Sequence, residues 1–454
     1  MRPLLVAAVL AATATVAHAD DPKLEFEKYK LPNGLEVILS PDNRVPLVAV
    51  NVWYHVGSGN EVPGKSGFAH LFEHMMFQGS KNLCLAFQAS EMCDKHFEVL
   101  RKIGAGEVNG TTNPDRTNYY EVVPSHFLET ALWLESDRMG HLLSVLTRKE
   151  LDGQIDVVRN ERRQNYDNVP YRKALFALYA AMYPEGHPYR YLTIGKHEDL
   201  MSASLDDVKG FFKTWYVPAN ATLTIVGDFD RADAKKLVEK WFASYPKSEK
   251  PKWINVPAPA QKATTVAVDD TFAKQRQIIF SWHSPAAYAP GDAELDIAAN
   301  ALGAEGRGRL YKALVLDNQL ATRVSASQDG STFSGTFDVT VTLRTEADLE
   351  QVKKIVGEEI ARVTRENLSD KEIQRVVTAS EASAIYRLES LNNRANILQT
   401  YNQFLGDPGK LSWDLDRYRK ATAEVIRGYA AKYLTPSSMV TIITNPAQAQ
   451  GGGK

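Results

Sequence analysis

Gly210-Phe211-Phe212-Lys213-Thr214-Trp215-Tyr216-Val217-Pro218, running into Ala221-Thr222-Leu223-Thr224-Ile225-Val226, decides the fold because the chain carries it twice. Near the C-terminus, Gly428-Tyr429-Ala430-Ala431-Lys432-Tyr433-Leu434-Thr435-Pro436 runs into Met439-Val440-Thr441-Ile442-Ile443. Each copy reads as an amphipathic helix, a proline stop and a β-branched strand. A second pair keeps the same order: Val48 to Val52 leads into Trp53-Tyr54-His55, and Ile278 to Phe280 leads into Ser281-Trp282-His283. Two matched pairs in one order point to a duplicated unit. The stretch from Tyr245-Pro246-Lys247-Ser248 to Pro257-Ala258-Pro259 separates the copies and reads as an exposed linker. Each half opens with strands, passes through several helices and closes with a strand, and Pro32-Asn33-Gly34 between Tyr29 and Leu35 marks a hairpin. This is an α+β order, not a regular βαβ alternation. The expected division is a first domain over 20–245, a linker over 246–260, a homologous second domain over 261–446 and a disordered tail over 447–454.

The 454 residues, 44% hydrophobic and 24% charged, leave room for two or more cores. A net charge of −2, with no basic stripe interleaved with aromatics, gives nucleic acid or an anionic membrane nothing to hold. Residues 1–19 have the parts of a signal peptide: Arg2, an apolar run from Leu4 to Val16, and Ala17-His18-Ala19 as a small-x-small cleavage site. No later apolar run is long enough to span a bilayer. The expectation is an exported protein of the bacterial periplasm without a stable membrane anchor. Cys84 and Cys93 could close a small disulfide loop there, with two reduced thiols as the alternative.

The chemistry is concentrated in His70-Leu71-Phe72-Glu73-His74. On a helix, positions i and i+4 share a face with i+3 beside them, so two imidazoles can hold one metal ion next to a carboxylate. Two neutral histidines suit zinc, and the unligated Glu73 suits a general base; the H-x-x-E-H order marks the inverzincins. Counting from His55 and from His283, the second-half counterparts of His70, Glu73 and His74 fall near Ala298, Ala301 and Leu302, none of which binds metal. A catalytic site usually needs a third protein ligand. In Gln154-Ile155-Asp156-Val157-Val158-Arg159-Asn160-Glu161-Arg162-Arg163, Glu161 borders the stripe of Leu151, Gln154 and Val158 and is the best candidate. Glu150 and Asp156 are rivals, with Glu135 and Asp137 behind them.

These motifs stand in a row with N-G-T-T from Asn109, R-T-N-Y-Y-E from Arg116, L-W-L-E-S-D-R-M from Leu132, V-V-R-N-E-R-R-Q from Val157 and H-P-Y at His187. The chain thereby resembles the pitrilysin (insulinase) family, in the half-length group that includes mitochondrial processing peptidase subunits and bacterial homologues. The resemblance implies two homologous α+β domains, each an antiparallel sheet packed with helices. It implies a zinc endopeptidase with one Zn2+ per chain held by His70, His74 and Glu161, and with Glu73 as the base. It also implies an edge strand from Asn109 to Thr112 that pairs with an extended peptide substrate, with Asn109 and Gly110 as its contact residues. Phe77 matches an aromatic that lines the pocket after the scissile bond, with plain core packing as its other reading.

Two departures from the family pattern shape the expectations. Leu83 to Lys95, which carries both cysteines, looks inserted. The glycine-rich loop Gly303-Ala304-Glu305-Gly306-Arg307-Gly308-Arg309 puts Arg309 where the family has an Arg that stabilises the transition state, but Thr322 stands where a Tyr is expected. A dimer with a metal-free homologous subunit supplying Arg and Tyr is therefore expected. The alternative function is a non-catalytic scaffold or assembly subunit related to respiratory-complex core proteins.

Overall fold

A computed structural model describes residues 21–89, 93, 95–253 and 256–447. The expected signal peptide over 1–19 and residues 448–454 of the expected tail lie outside the described residues. Strands β1 (Glu27–Lys30), β2 (Glu36–Pro41), β3 (Leu47–Tyr54), β4 (Gly106–Thr112), β5 (Thr117–Pro124) and β6 (Ala221–Gly227) form one sheet in the order β1-β2-β6-β3-β5-β4. Strands β7 (Thr264–Asp270), β8 (Gln277–Ser284), β9 (Ala321–Gly330), β10 (Gly335–Leu343) and β11 (Val440–Pro446) form the second in the order β7-β11-β8-β10-β9. Leaving β1 aside, the two orders are identical, and the two matched sequence pairs sit on equivalent strands, β3 with β8 and β6 with β11.

Neither sheet is purely antiparallel. In the first, β6 returns late in the chain and inserts between β2 and β3, parallel to β2 and antiparallel to β3; β11 does the same between β7 and β8. A strand placed between two neighbours of opposite direction must run parallel to one of them. Every residue of β6 is buried, so it reads as an unbroken run rather than an alternation.

The helices that bear on the site are α1 (Phe68–Met75), α2 (Lys81–Ala86), α3 (His96–Lys102), α4 (Leu128–His141), α5 (Arg148–Arg162) and α6 (Arg172–Met182). Cys84 of α2 and Cys93 are joined by a disulfide, with a Cα–Cα distance of 5.3 Å. The second-half helix over Asp292–Gly303 packs on β9 much as α1 packs on β4, and it buries Ala298, Ala301 and Leu302.

Each half covers the other's sheet. Ala174, Leu178 and Met182 of α6 pack on Ile279, Val440 and Ile442 of the second sheet. The helix Leu391–Leu405, from the second half, lays Leu391, Ala395 and Leu398 on Ile38, Ala49 and Val226 of the first. The repeated histidines mark these two contacts. His55 Nδ1 lies 2.8 Å from Gln403 Oε1 of the Leu391–Leu405 helix, and His283 Nε2 lies 3.0 Å from Met182 O at the end of α6. Gln399 reaches Thr222 O at 2.8 Å, and Asn51 donates to Asn392 and Asn396 at 3.0 and 2.9 Å, so buried polar rungs fix the register of the apolar contact. The linker is fastened as well, since Trp253 Nε1 donates to His55 O at 3.0 Å. Leu398→Ala is expected to cost about 2–5 kcal/mol of stability, read from urea unfolding, because it opens a cavity between the halves. A loss below about 1 kcal/mol would mean this contact holds little.

Candidate metal centre

Helix α1 begins where the Gly-rich segment ends, and its first turn is held from outside. Glu61 accepts from Gly67 N at 2.9 Å and Ala69 N at 2.8 Å, satisfying two N–H groups that a helix start leaves without partners. Asp199 accepts from Ser66 N at 3.0 Å and from Ser66 Oγ at 2.5 Å. Leu71, Phe72 and Met75 turn into the core, which leaves His70 and His74 on the opposite side with Glu73 beside them.

The structure brings His70, His74 and Glu161 together. Their nearest atoms form a triangle: His70 Nε2 to His74 Nε2 is 3.3 Å, His74 Nε2 to Glu161 Oε2 is 3.2 Å, and His70 Nε2 to Glu161 Oε2 is 3.6 Å. Tetrahedral zinc bonded to nitrogen and oxygen at its usual lengths has ligand–ligand edges of about 3.3–3.5 Å, so the triangle fits one face of such a site. Among the described residues no other three His, Cys, Asp or Glu side chains offer ligand atoms this close together. Burial pulls the His70 imidazole down to about 4, so its nitrogen lone pair is free at neutral pH. Within the triangle, the hydrogen bond from His74 holds the Glu161 carboxyl below the usual carboxylate range.

Glu161 reaches the histidines because α5 is tied to the start of α1. Leu151, Ile155 and Val158 bury one side of α5, and the next residue after Glu161, Arg162, donates to Gly195 O. Gly195 lies so close to α1 that a Cβ on it would stand 2.4 Å from Gly67 Cα, and Asp199 of the same loop holds Ser66. The segment over 193–199 thus braces α5 against the start of α1.

Glu73 is 9% exposed and takes no part in the triangle. Thr112 Oγ1 donates to its Oε2 at 2.6 Å, so the edge strand β4 aims the carboxylate. Burial pushes the Glu73 carboxyl up, while the Thr112 bond and the nearby His74 and Arg116 pull it down. Gly110 lies two residues before Thr112 on the same face, and a Cβ there would meet Phe77 Cε2 at 2.9 Å and Glu73 Cγ at 3.1 Å. Gly110→Val is therefore expected to displace Glu73 and to cost about 1–3 kcal/mol of stability in urea unfolding while the metal content stays unchanged. Equal stability of the two proteins would show that the close approach has no role.

The other candidates fall in different places. Asn109 is exposed on the free edge of β4. Phe77 is buried in the main core, stacked on Phe97 at 4.7 Å, and reaches the underside of Gly110. Arg309 is in the second half, its guanidinium fork held by both oxygens of Glu372 at 2.7 and 2.9 Å. Thr322 points its hydroxyl at Gln275 and Thr342. The rival ligands are all engaged elsewhere. Glu135 pairs with Arg138, Asp137 caps α2 through Asn82 N and Leu83 N at 3.1 and 3.0 Å, Glu150 takes the Thr147 hydroxyl, and Asp156 pairs with Arg159. The sequence does not show the bond from Thr112 to Glu73, the role of Glu61 or the Arg162–Gly195 brace. Thr112 belongs to the expected edge strand, and a strand repeats every two residues, so it shares a face with Gly110.

Comparison with known proteins adds a family. The model for the insulinase family, peptidase family M16, matches residues 36–192, and the model for the peptidase M16 inactive domain matches residues 202–380. The zinc protease PqqE of Helicobacter pylori is 28% identical over 408 residues, covering 87% of this chain and 88% of its own. The uncharacterized zinc protease YmxG of Bacillus subtilis is 25% identical over 420 residues, covering 92% and 98%. The crystal structure of a protease from Helicobacter pylori superposes with a TM-score of 0.85 at 25% identity, covering 94% of this chain and all of that one.

Proposed function

This chain belongs to the insulinase family of peptidases, family M16, and on that footing we propose that it is a zinc-dependent endopeptidase hydrolysing extended peptides. The observation that carries the reading is the triangle of His70, His74 and Glu161, with edges of 3.2–3.6 Å, beside a buried carboxylate that stays outside it. Relatives named as zinc proteases support the choice of metal.

His70, His74 and Glu161 would hold one zinc ion, which when bound polarises the peptide carbonyl and lowers the pKa of a water at its open position. Glu73 takes the proton of the attacking water on its carboxylate and later gives it to the departing amine nitrogen. Its surroundings serve both tasks: the Thr112 hydrogen bond favours the anion that accepts the proton, and burial favours the acid that returns it. The free edge of β4 takes the substrate as an added strand, through main-chain hydrogen bonds that tolerate many sequences.

The working unit in this reading pairs the chain with a metal-free homologue. Arg309 is committed to Glu372, and Thr322 stands where a tyrosine donor is expected, so this chain offers neither group to the developing oxyanion. Export to the periplasm is supported by the Cys84–Cys93 disulfide, which belongs in an oxidising compartment. Among the described residues no helix is long and apolar enough to cross a membrane. A peptide-library assay on the zinc-loaded protein, alone and co-expressed with products of neighbouring genes, tests the whole reading. Hydrolysis abolished by chelation and restored by zinc is expected, strongest with a partner. A zinc-loaded protein silent in every combination would favour the scaffold subunit.

A further inference from the structure

The helix Arg231–Phe242, which follows β6, packs on α4 and buries Ala234, Val238 and Phe242, four residues apart, in the main core. Ser136 Oγ of α4 donates to Trp241 O at 2.6 Å, and Asn33 Nδ2 donates to Phe242 O at 2.7 Å. On its flanks Lys235 pairs with Glu27 of β1 and Lys240 with Glu129 of α4. The helix therefore lies in an apolar seat with acidic margins.

The second half repeats the seat without repeating the helix. There β7, β8 and β11 match β2, β3 and β6, and the helix Leu349–Arg365, which follows β10, matches α4, which follows β5. Among the described residues no helix follows β11. A cavity of about 280 Å³ lies between these three strands and the helix Leu349–Arg365. Aligned on Pro218 and Pro436, the strand registers carry Val52 and Tyr54, both fully buried in the first core, onto Phe280 and Trp282 of the cavity wall.

The wall shows what shape and charge fit. Val356, Gly357, Ile360, Ala361 and Thr364 form one stripe of the helix, and a Cβ on Gly357 would meet no atom within 4 Å. A glycine inside a helix costs stability against alanine, and here it keeps the groove open. The charged residues of the wall are Lys353 and Arg365, both cationic, where the first seat has Glu27 and Glu129. Lys353 is shared with an exposed Glu350, and Arg365 is in no ion pair among the described residues. Thr265 and Thr441 replace Val37 and Leu223 on the floor, which tolerates water and suits a reversible occupant. Gln448 to Lys454 carry no apolar side chain larger than that of alanine and cannot supply the anchors.

We propose that this groove docks an amphipathic helix of a partner protein, with apolar side chains four residues apart and acidic side chains on its flanks. The groove contains no residue of the metal triangle or of β4, so the assignment stands apart from the peptidase reading.

The probe is a labelled, stapled helical peptide of fifteen residues with Ala, Val and Phe spaced as in Arg231–Phe242 and Glu on the flanks. A second peptide has Lys in place of every Glu, and both are titrated into the full chain by fluorescence anisotropy. The acidic peptide is expected to bind at least about tenfold more tightly than the basic one. Gly357→Leu, which fills the groove, is expected to weaken that binding at least about tenfold without lowering the thermal midpoint, since leucine is the better helix former. Lys353→Glu combined with Arg365→Glu is expected to reverse the charge preference. Equal binding of the two peptides, no binding, or binding untouched by Gly357→Leu overturns the proposal. Saturable binding of dodecanoate without peptide binding, abolished by Gly357→Leu, would assign the groove to a small carboxylate and overturn it as well. So would dimerisation of the chain in sedimentation that Gly357→Leu abolishes, which would give the groove to a second copy.

Discussion

Glu73→Gln is expected to leave the zinc in place and to lower peptide hydrolysis by about two to four orders of magnitude, the range a general base contributes. The substitution removes basicity and little else. Glutamine has nearly the same shape, its amide oxygen can still accept from Thr112 Oγ1, and the three ligand atoms lie on other side chains. Glu73 is 9% exposed, so bulk solvent reaches the position poorly. Metal content by elemental analysis and turnover of a cleaved library peptide read the two halves of the result. Turnover within a factor of a few of the unsubstituted protein would remove Glu73 from the proton transfer.

Glu161→Ala is expected to lose activity just as fully, but by losing the metal. Two imidazoles 3.3 Å apart remain, one donor short of the set that retains a catalytic zinc. The fall in zinc affinity, measured by competition with a chromogenic chelator, should exceed the roughly 10–100-fold that removal of an outer-shell partner costs. The pair of variants is more informative than either alone. Excess zinc should restore part of the Glu161→Ala activity and none of the Glu73→Gln activity. A Glu161→Ala protein that holds zinc as tightly as its parent would mean that another group completes the site.

Some of this was readable from residues and some was not, for reasons that differ. Helical spacing puts His70, Glu73 and His74 side by side, as they lie in the structure, because all three fall within two turns of one helix, where sequence distance is spatial distance. Glu161 was separable from Glu150 and Asp156 by the stripe it borders, and the duplication was visible because helix, proline and strand recur in order. The direction of β6 was hidden, since insertion between β2 and β3 depends on where the strand returns and not on its composition. Arg309 looked available because a sequence cannot show that Glu372, 63 residues later, fills its guanidinium fork. The Arg162 contact to Gly195 stayed invisible for the same reason: side-chain partners far along the chain leave no local pattern.

The exchange of covering helices bears on what this lineage could lose. A duplicated domain without chemistry is usually dispensable, and Ala298, Ala301 and Leu302 stand where the second copy would need its own histidines and glutamate. Yet deleting that copy would remove Leu391, Ala395 and Leu398 from the face of the first sheet and leave Ile38, Ala49 and Val226 in water. Ligands in the second copy could therefore decay freely while the copy itself could not be discarded. The half without the histidine pair serves as a wall of the half that carries it.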